Sequence, residues 1–241
     1  MELKPKTLKS NLNVEKHKKR QQKARKIVNE RRLMEEQKLI DADIIFGLDN
    51  GTTGTLSCIA SFEREIISID FCKTFSKIEM DYQKELNFIA RIDWLNLKNW
   101  FDKVLKKLKR IYNTKYNKKE EDLKIAVVLE RPMINCERFK QSKNAARAFE
   151  STLIVLEMLG LNEKYLIIDS KKWQHYFFGI TVNIDLKKSS KNEGIKFLNN
   201  MNSKKYKDYI DMISRHGDAD SLLISRWAFE KFVKTRKSTE Q

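Results

Sequence analysis

The sequence predicts an α/β fold, a mixed five-stranded sheet flanked by helices and preceded by a basic arm. Three observations predict it. Residues 43–60 (DIIFGLDNGTTGTLSCIA) set two apolar runs on either side of a Gly/Thr turn, which reads as strand, tight turn, strand. Residues 124–132 (KIAVVLERP) carry an unbroken apolar run of the kind found in strands buried on both faces. From Trp94 onward, apolar residues recur at helical spacing between such runs.

Taken in order, the arm comes first. Residues 1–41 hold thirteen Lys and Arg against six Asp and Glu. Residues 14–40 favour helix by propensity, and Ile27, Val28, Leu33, Met34, Leu39 and Ile40 give one weak apolar stripe. The first half has nothing to bury. A basic arm of this kind can lie along phosphates; the plainer readings are a solvated tail or a targeting sequence, and its glutamates argue against a mitochondrial presequence.

The body follows, residues 42–236, with 237–241 as a tail. After the first hairpin, residues 65–71 (EIISIDF) read as a third strand, while residues 73–93 fit no single pattern. A helix beginning near Trp94 gathers Leu97, Phe101, Val104, Leu105, Leu108, Ile111 and Tyr112 on one face. Lys103, Lys106, Lys107, Lys109 and Arg110 lie on the other. Residues 113–122 are a polar loop. The buried strand at 124–129 comes next, then a helix over 138–160 that stops at Gly160. Residues 165–169 (YLIID) are a short strand. Ser170 suits the N-cap of a helix holding Trp173, Tyr176 and Phe177 and ended by Gly179. Residues 180–192 read as a polar loop carrying Lys187, Lys188 and Lys191, with short helices at 190–200 and 204–213. A last helix lies within 215–232 (RHGDADSLLISRWAFEKF), opened by Gly217 and Asp218.

Composition bounds the function. The chain has 241 residues, a formal charge of +16 and 41% hydrophobic residues. That suits one cored domain with an appendage, and a basic surface of this size attracts polyanions, nucleic acid first among them. An AT-rich genome can also drive a chain basic without purpose. No apolar run approaches the roughly 18–20 residues of a membrane span, and no signal peptide opens the chain. Cys58, Cys72 and Cys136 are scattered, and three histidines give no zinc spacing with them. A reducing compartment is expected, the cytoplasm of a bacterium or phage-infected host, or a nucleus or organelle in a eukaryote.

The residues that carry chemistry are acids. Asp49 ends the first strand and Glu130 ends the buried one, so both stand at a sheet rim. A turn aspartate capping its own loop, and a glutamate paired with Arg131, are the plainer readings. Asp220 precedes Leu223, Ile224 and Trp227 by helical spacings and so shares their inward side. Asp218, or His216, supplies a fourth group. Clustered carboxylates repel one another and take up protons or hold a hard cation such as Mg²⁺. A pair of such ions about 3.5–4 Å apart can hydrolyse a phosphodiester.

These stretches resemble a known family. GLDNGTTG (47–54), VLERPMIN (128–135), FKQSKNAARAFE (139–150), IIDSKKWQHYFFG (167–179) and HGDADSLLISRWA (216–228) come in an order similar to that of RuvC-type Holliday-junction resolvases, their phage-type branch especially. The resemblance covers roughly residues 42–236 and implies the ribonuclease-H-like fold. It also implies a dimeric endonuclease that nicks branched DNA with Mg²⁺, for which Mn²⁺ can substitute. It gives Asp49, Glu130 and Asp220 metal-binding catalytic roles. The family places its fourth ligand three positions before the last Asp; here Gly217 stands there, so Asp218, with His216 as alternative, has to take that role. Arg131, Lys140, Lys143, Lys187, Lys188 and Lys191 are the candidate DNA contacts. The arm lies outside the common resolvase pattern.

Other readings stay open. One is another DNA nuclease or a transposase-type enzyme on the same core. A second is a DNA-binding protein whose catalytic set has decayed. A third is a kinase of the actin-like superfamily, since DNGTTG also resembles a phosphate loop. That kinase needs a second, duplicated domain and a glycine-rich adenosine loop, and residues 131–241 hold only Gly160, Gly179, Gly194 and Gly217, never adjacent.

Overall fold

The computed structural model describes residues 26–27, 30, 33–34, 36–49, 51–80, 88–132, 139–179 and 185–235. The chain divides into two units, Met1–Gln37 and Lys38–Gln241. In the first, the described residues are α-helical, and Ile27, Leu33 and Met34 are exposed. Residues 38–41 of the arm belong to the second unit, where Leu39 is buried; the arm's remaining residues, residue 50 of the first turn and the segment 133–138 after Glu130 lie outside the described residues.

In the second unit the elements run β1 (Ile44–Leu48), β2 (Thr55–Phe62), β3 (Glu65–Lys73), β4 (Ser76–Met80), β5 (Phe88–Ile92), α1 (Trp94–Tyr116), β6 (Ile125–Glu130), α2 (Phe139–Met158), β7 (Tyr165–Ile168), α3 (Ser170–Phe178), α4 (Leu186–Asn202), α5 (Lys207–His216) and α6 (Asp220–Phe229). The main sheet has the order β3-β2-β1-β6-β7. Its first three strands are antiparallel, and β6 and β7 continue parallel to β1. This is the ribonuclease-H-like arrangement, a mixed five-stranded sheet with helices on both faces.

Strand β1 lies at the centre, and all five of its residues are buried. Alternation sends its side chains to opposite layers. Ile44, Phe46 and Leu48 join Leu97, Phe101 and Leu108 of α1 in one core, with Val127 and Leu129 of β6 beside them. Ile45 joins Val128, Trp173 of α3, Leu198 of α4, Ile213 of α5 and Leu223 of α6 in the other. The parallel register pairs Leu48 with Leu129, so the residues that follow, Asp49 and Glu130, leave the sheet side by side at one edge.

Gly47 sets how close α6 can come. A β-carbon at Gly47 would lie 2.4 Å from the Ser221 carbonyl oxygen and 2.7 Å from Ser225 N. Ser57 Oγ meets the Ser221 carbonyl at 2.7 Å and Ser225 Oγ at 2.8 Å. A bare glycine and three small hydroxyl residues thus let the helix backbone rest on β1 and β2, and its first turn arrives beside Asp49.

The structure differs from expectation in five places, two of them small: Asp169 and not Ser170 is the N-cap of α3, and α1 runs on to Tyr116 into the predicted loop 113–122. Residues 186–192 are helical where a loop was predicted. The stretch LKKSS looks polar, but the Asp185 carboxylate accepts from Lys188 N at 3.1 Å and caps α4 four residues early. Residues 180–184 of that predicted loop lie outside the described residues. The unassigned 73–93 region holds a separate two-stranded sheet, β4 with β5. Gly217 ends a helix and does not begin one: it closes α5 with φ +69°, the left-handed region that glycine adopts without steric cost.

Candidate metal centre

The turn after β1 is built around Asp49. Gly51 N donates to the Asp49 carbonyl at 3.0 Å, and Asp49 N donates to the Thr55 carbonyl at 3.2 Å. At Gly54 a β-carbon would sit 2.6 Å from Asp49 Oδ2 and 2.4 Å from its carbonyl oxygen. The glycine therefore makes room first for the Asp49 carboxylate itself.

Asp218 and Asp220 come from the opposite end of the chain. One oxygen each from Asp49, Asp218 and Asp220 lies within 4.8 Å of the others, a set able to hold a metal ion. Asp218 Oδ1 accepts from Thr55 Oγ1 at 3.2 Å and from Asp220 N at 3.0 Å, which ties it to β2 and to the first turn of α6. Thr55 Oγ1 in turn accepts from Ser221 N at 3.4 Å. Ser190 of α4 donates to Asp220 Oδ1. Gly194 permits this, because a β-carbon there would fall 2.5 Å from Ala219 Cβ.

Glu130 ends β6 half-buried at the same edge. Its partner is Trp173, whose Nε1 donates to Oε2 at 2.9 Å. The alternative pairing with Arg131 is not what the fold makes. Arg131 meets Asp169 at 3.2 Å on the exposed side, with 60% of its side chain in solvent.

The electrostatics agree with the geometry. Burial, then the nearby charges of Asp218, Glu130 and Asp220, hold the Asp49 carboxyl well above the usual carboxylate range. Burial pushes Glu130 up to about 7, with Asp220 and Asp218 adding to it and the Trp173 hydrogen bond opposing. Burial and Asp218 push Asp220 up to about 6, against Ser190 and Lys187. Among the described residues no Lys or Arg forms an ion pair with Asp49, Glu130, Asp218 or Asp220. Four acids share one partly dry corner where Lys187 is the cation that acts on Asp220 without forming an ion pair, and such a donor set fits a hard divalent ion.

The remaining predicted residues are placed as follows. His216 is exposed at the end of α5, where burial and the cations Lys73 and Arg215 lower its pKa; no acid of the cluster acts on it. Lys187 lines a cleft of about 340 Å³ together with Trp173, Gln174, Gly217, Asp218 and Asp220. Lys188 is exposed on the first turn of α4, and Lys191 Nζ donates to the Ser214 carbonyl at 2.7 Å. Lys143 is half-buried on α2. The side chain of Lys140 lies outside the described residues.

Trp173, Ser190 and Thr55 are the members that sequence reasoning missed. Trp173 had been read as one more apolar residue of α3, and nothing in its neighbours signals an acid 43 positions earlier. Trp173→Phe keeps the aromatic packing and removes the donor. Lost outer-shell bonds to a metal-binding carboxylate typically cost about 10–100-fold in metal affinity. The expected result is a Mg²⁺ or Mn²⁺ titration shifted by that factor with the thermal midpoint of the metal-free protein nearly unchanged. An unshifted titration would make Trp173 a packing residue only.

Fold and site together define an α/β protein of ribonuclease-H-like architecture with a carboxylate centre suited to a divalent metal. No protein-family model and no curated protein matches the chain. Among solved structures it is similar to RuvC of Thermus thermophilus in complex with a Holliday junction substrate. The identity is 12%, over 78% of this chain and 93% of that one, with a TM-score of 0.35. A second Thermus thermophilus RuvC structure matches at 13% identity over 77% and 93%, with the same TM-score of 0.35. At this distance function has to be read from the side chains.

Proposed function

We propose that this chain is a metal-dependent endonuclease that nicks branched DNA, four-way junctions above all, by phosphodiester hydrolysis. The observation that carries the reading is the convergence of Asp49, Asp218 and Asp220, with Glu130 beside Asp49 at the strand ends, on a chain of formal charge +16. Asp49, Asp218, Asp220 and Glu130 would hold Mg²⁺, or Mn²⁺ in its place. When bound, the metal supplies Lewis-acid polarisation of the phosphate and a water acidic enough to attack it at neutral pH.

The chain's own groups do the rest. Trp173 fixes one oxygen of Glu130. Thr55 and Ser190 hold Asp218 and Asp220 in place without adding charge. Lys187 borders the cleft and is set to meet a backbone phosphate, with Lys188, Lys191, Arg131, Lys140 and Lys143 as further contacts. No covalent nucleophile is needed. A homodimer would present two such centres in two-fold symmetry, matching a four-way junction.

The test is cutting. With Mg²⁺ or Mn²⁺ the purified protein is expected to nick a four-way junction faster than the matched duplex. Binding without nicking in either metal would overturn the reading and leave a DNA-binding protein. Phosphate transfer from ATP would point to the kinase instead.

A further inference from the structure

The β4–β5 hairpin presents an apolar face to solvent. Ile78, Met80 and Phe88 are 75%, 61% and 67% exposed. The register pairs Met80 with Phe88 and Ile78 with Ala90, so all four share one face. The hairpin is nonetheless firmly held. Ile89 and Ile92 are buried, Asp93 N donates to the Phe75 carbonyl at 2.9 Å, and Glu79 meets Lys77 at 2.5 Å and Arg91 at 2.7 Å. Exposed apolar surface kept on a fixed element marks a contact site.

Its root lies at the candidate metal centre. Thr74 N donates to the Gly54 carbonyl at 3.0 Å, and Gly54 is the residue pressed against the Asp49 carboxylate. The five residues of β4 reach about 16 Å from that root. Lys73, exposed at the end of β3, stands at the foot of the hairpin and forms no ion pair among the described residues, while Lys77 and Arg91 share Glu79 on the hairpin's opposite face. A cation at the foot of an apolar, aromatic-bearing surface that is rooted at an acidic metal centre suits a polymer with phosphates on the outside and flat faces within.

We infer that Ile78, Met80 and Phe88 receive unstacked bases of the nucleic acid whose backbone lies at the metal centre. Duplex DNA hides its base faces in the stack. A branch point or a single strand offers them, so the hairpin gives the protein a preference that its acids and lysines alone do not. Side chains of this kind stack on bases with little regard to sequence. The inference rests on the nuclease reading only for the nature of the polymer.

The experiment is equilibrium binding in EDTA, where nothing is cut, with a four-way junction, a single strand and a matched duplex as probes. The Met80→Ser/Phe88→Ser double variant changes only exposed residues. It is expected to lose about tenfold or more in affinity for the junction and the single strand, and less than about twofold for the duplex. A loss on the single strand alone would assign the face to unpaired strands, and on the junction alone to branch-point pairs; both support the inference. Phe88→Trp is expected to bind as wild type does. Equal affinity of wild type and double variant for all three probes would overturn the inference. So would an affinity loss that tracks a fall from dimer to monomer in sedimentation, since the face would then join two copies. A wild type that prefers branched probes yet never cuts would sink the nuclease reading and leave the hairpin inference standing.

Discussion

Asp49→Asn and Glu130→Gln are each expected to reduce junction nicking about a thousand-fold or more while leaving junction binding within about twofold. Both substitutions keep the shape and remove the charge. Metal-assisted polarisation is worth several kcal/mol at the transition state, and about 4 kcal/mol corresponds to roughly three decades in rate. On the proposed reading, binding in EDTA depends on the lysines and the hairpin, and removing an acid from the site would lower the repulsion felt by phosphate. Asp218→Asn is expected to follow the same pattern, because Asp218 groups with Asp49 and Asp220. His216→Ala is expected to cut as wild type does, since His216 is exposed and is not among the residues whose ligand atoms group together. Single-turnover nicking measured beside binding decides it. Wild-type rates in Asp49→Asn would remove the centre from the chemistry altogether.

The second large effect is on stability. Asp49, Glu130 and Asp220 all have their pKa raised in the fold, so the folded state binds more protons than the unfolded one through the pH range between. Stability then falls as pH rises. The contribution of these acids is fully present below about pH 4, and it is lost on passing through about 6 for Asp220 and about 7 for Glu130. At about 1.4 kcal/mol per pH unit, Glu130 alone, moved from 4.5 to about 7, costs the metal-free protein on the order of 3 kcal/mol at pH 8. For a chain of this size that is a drop of roughly 6–12 °C in the thermal midpoint. A divalent cation at about a hundred times its dissociation constant returns about 2.7 kcal/mol. The expected scan in EDTA shows a midpoint that declines from pH 5 to pH 8, recovers in Mg²⁺, and does neither in Asp49→Asn to the same extent. A midpoint that rises over this range and ignores Mg²⁺ would show that the acids are balanced within the protein.

Much of this was legible in the residues. The apolar runs at 44–48 and 125–129 marked the two central strands, and their closing acids marked the rim, because a strand end is where a chain leaves the dry interior. The inward position of Asp220 followed from helical spacing. What stayed hidden depends on contacts between distant residues. The Trp173 bond to Glu130 is a meeting of β6 with α3, and tryptophan on an apolar helix face gives no sign of it. The β4–β5 hairpin escaped because Ile78, Met80 and Phe88 face water while Ile89 and Ile92 are buried, so its apolar residues follow no single face. The start of α4 escaped because lysines and serines suit a loop until Asp185 is seen to cap them. Arg131 shows the reverse case: an obvious neighbour for Glu130 in sequence, it is sent by the strand's pleat to the other side and pairs with Asp169.

The contact of α6 with Gly47 and Ser57 has a consequence in time. Ser57 meets residues that follow it by 164 and 168 positions. At about 5–20 residues per second, a ribosome finishes the last helix roughly ten to thirty seconds after the first hairpin. Until then Asp49 has neither Asp218 nor Asp220 beside it. On the proposed reading, a nascent chain that already carries its basic arm has as yet no assembled centre with which to cut. The order of synthesis thus completes the acid cluster last, when the whole body is present around it.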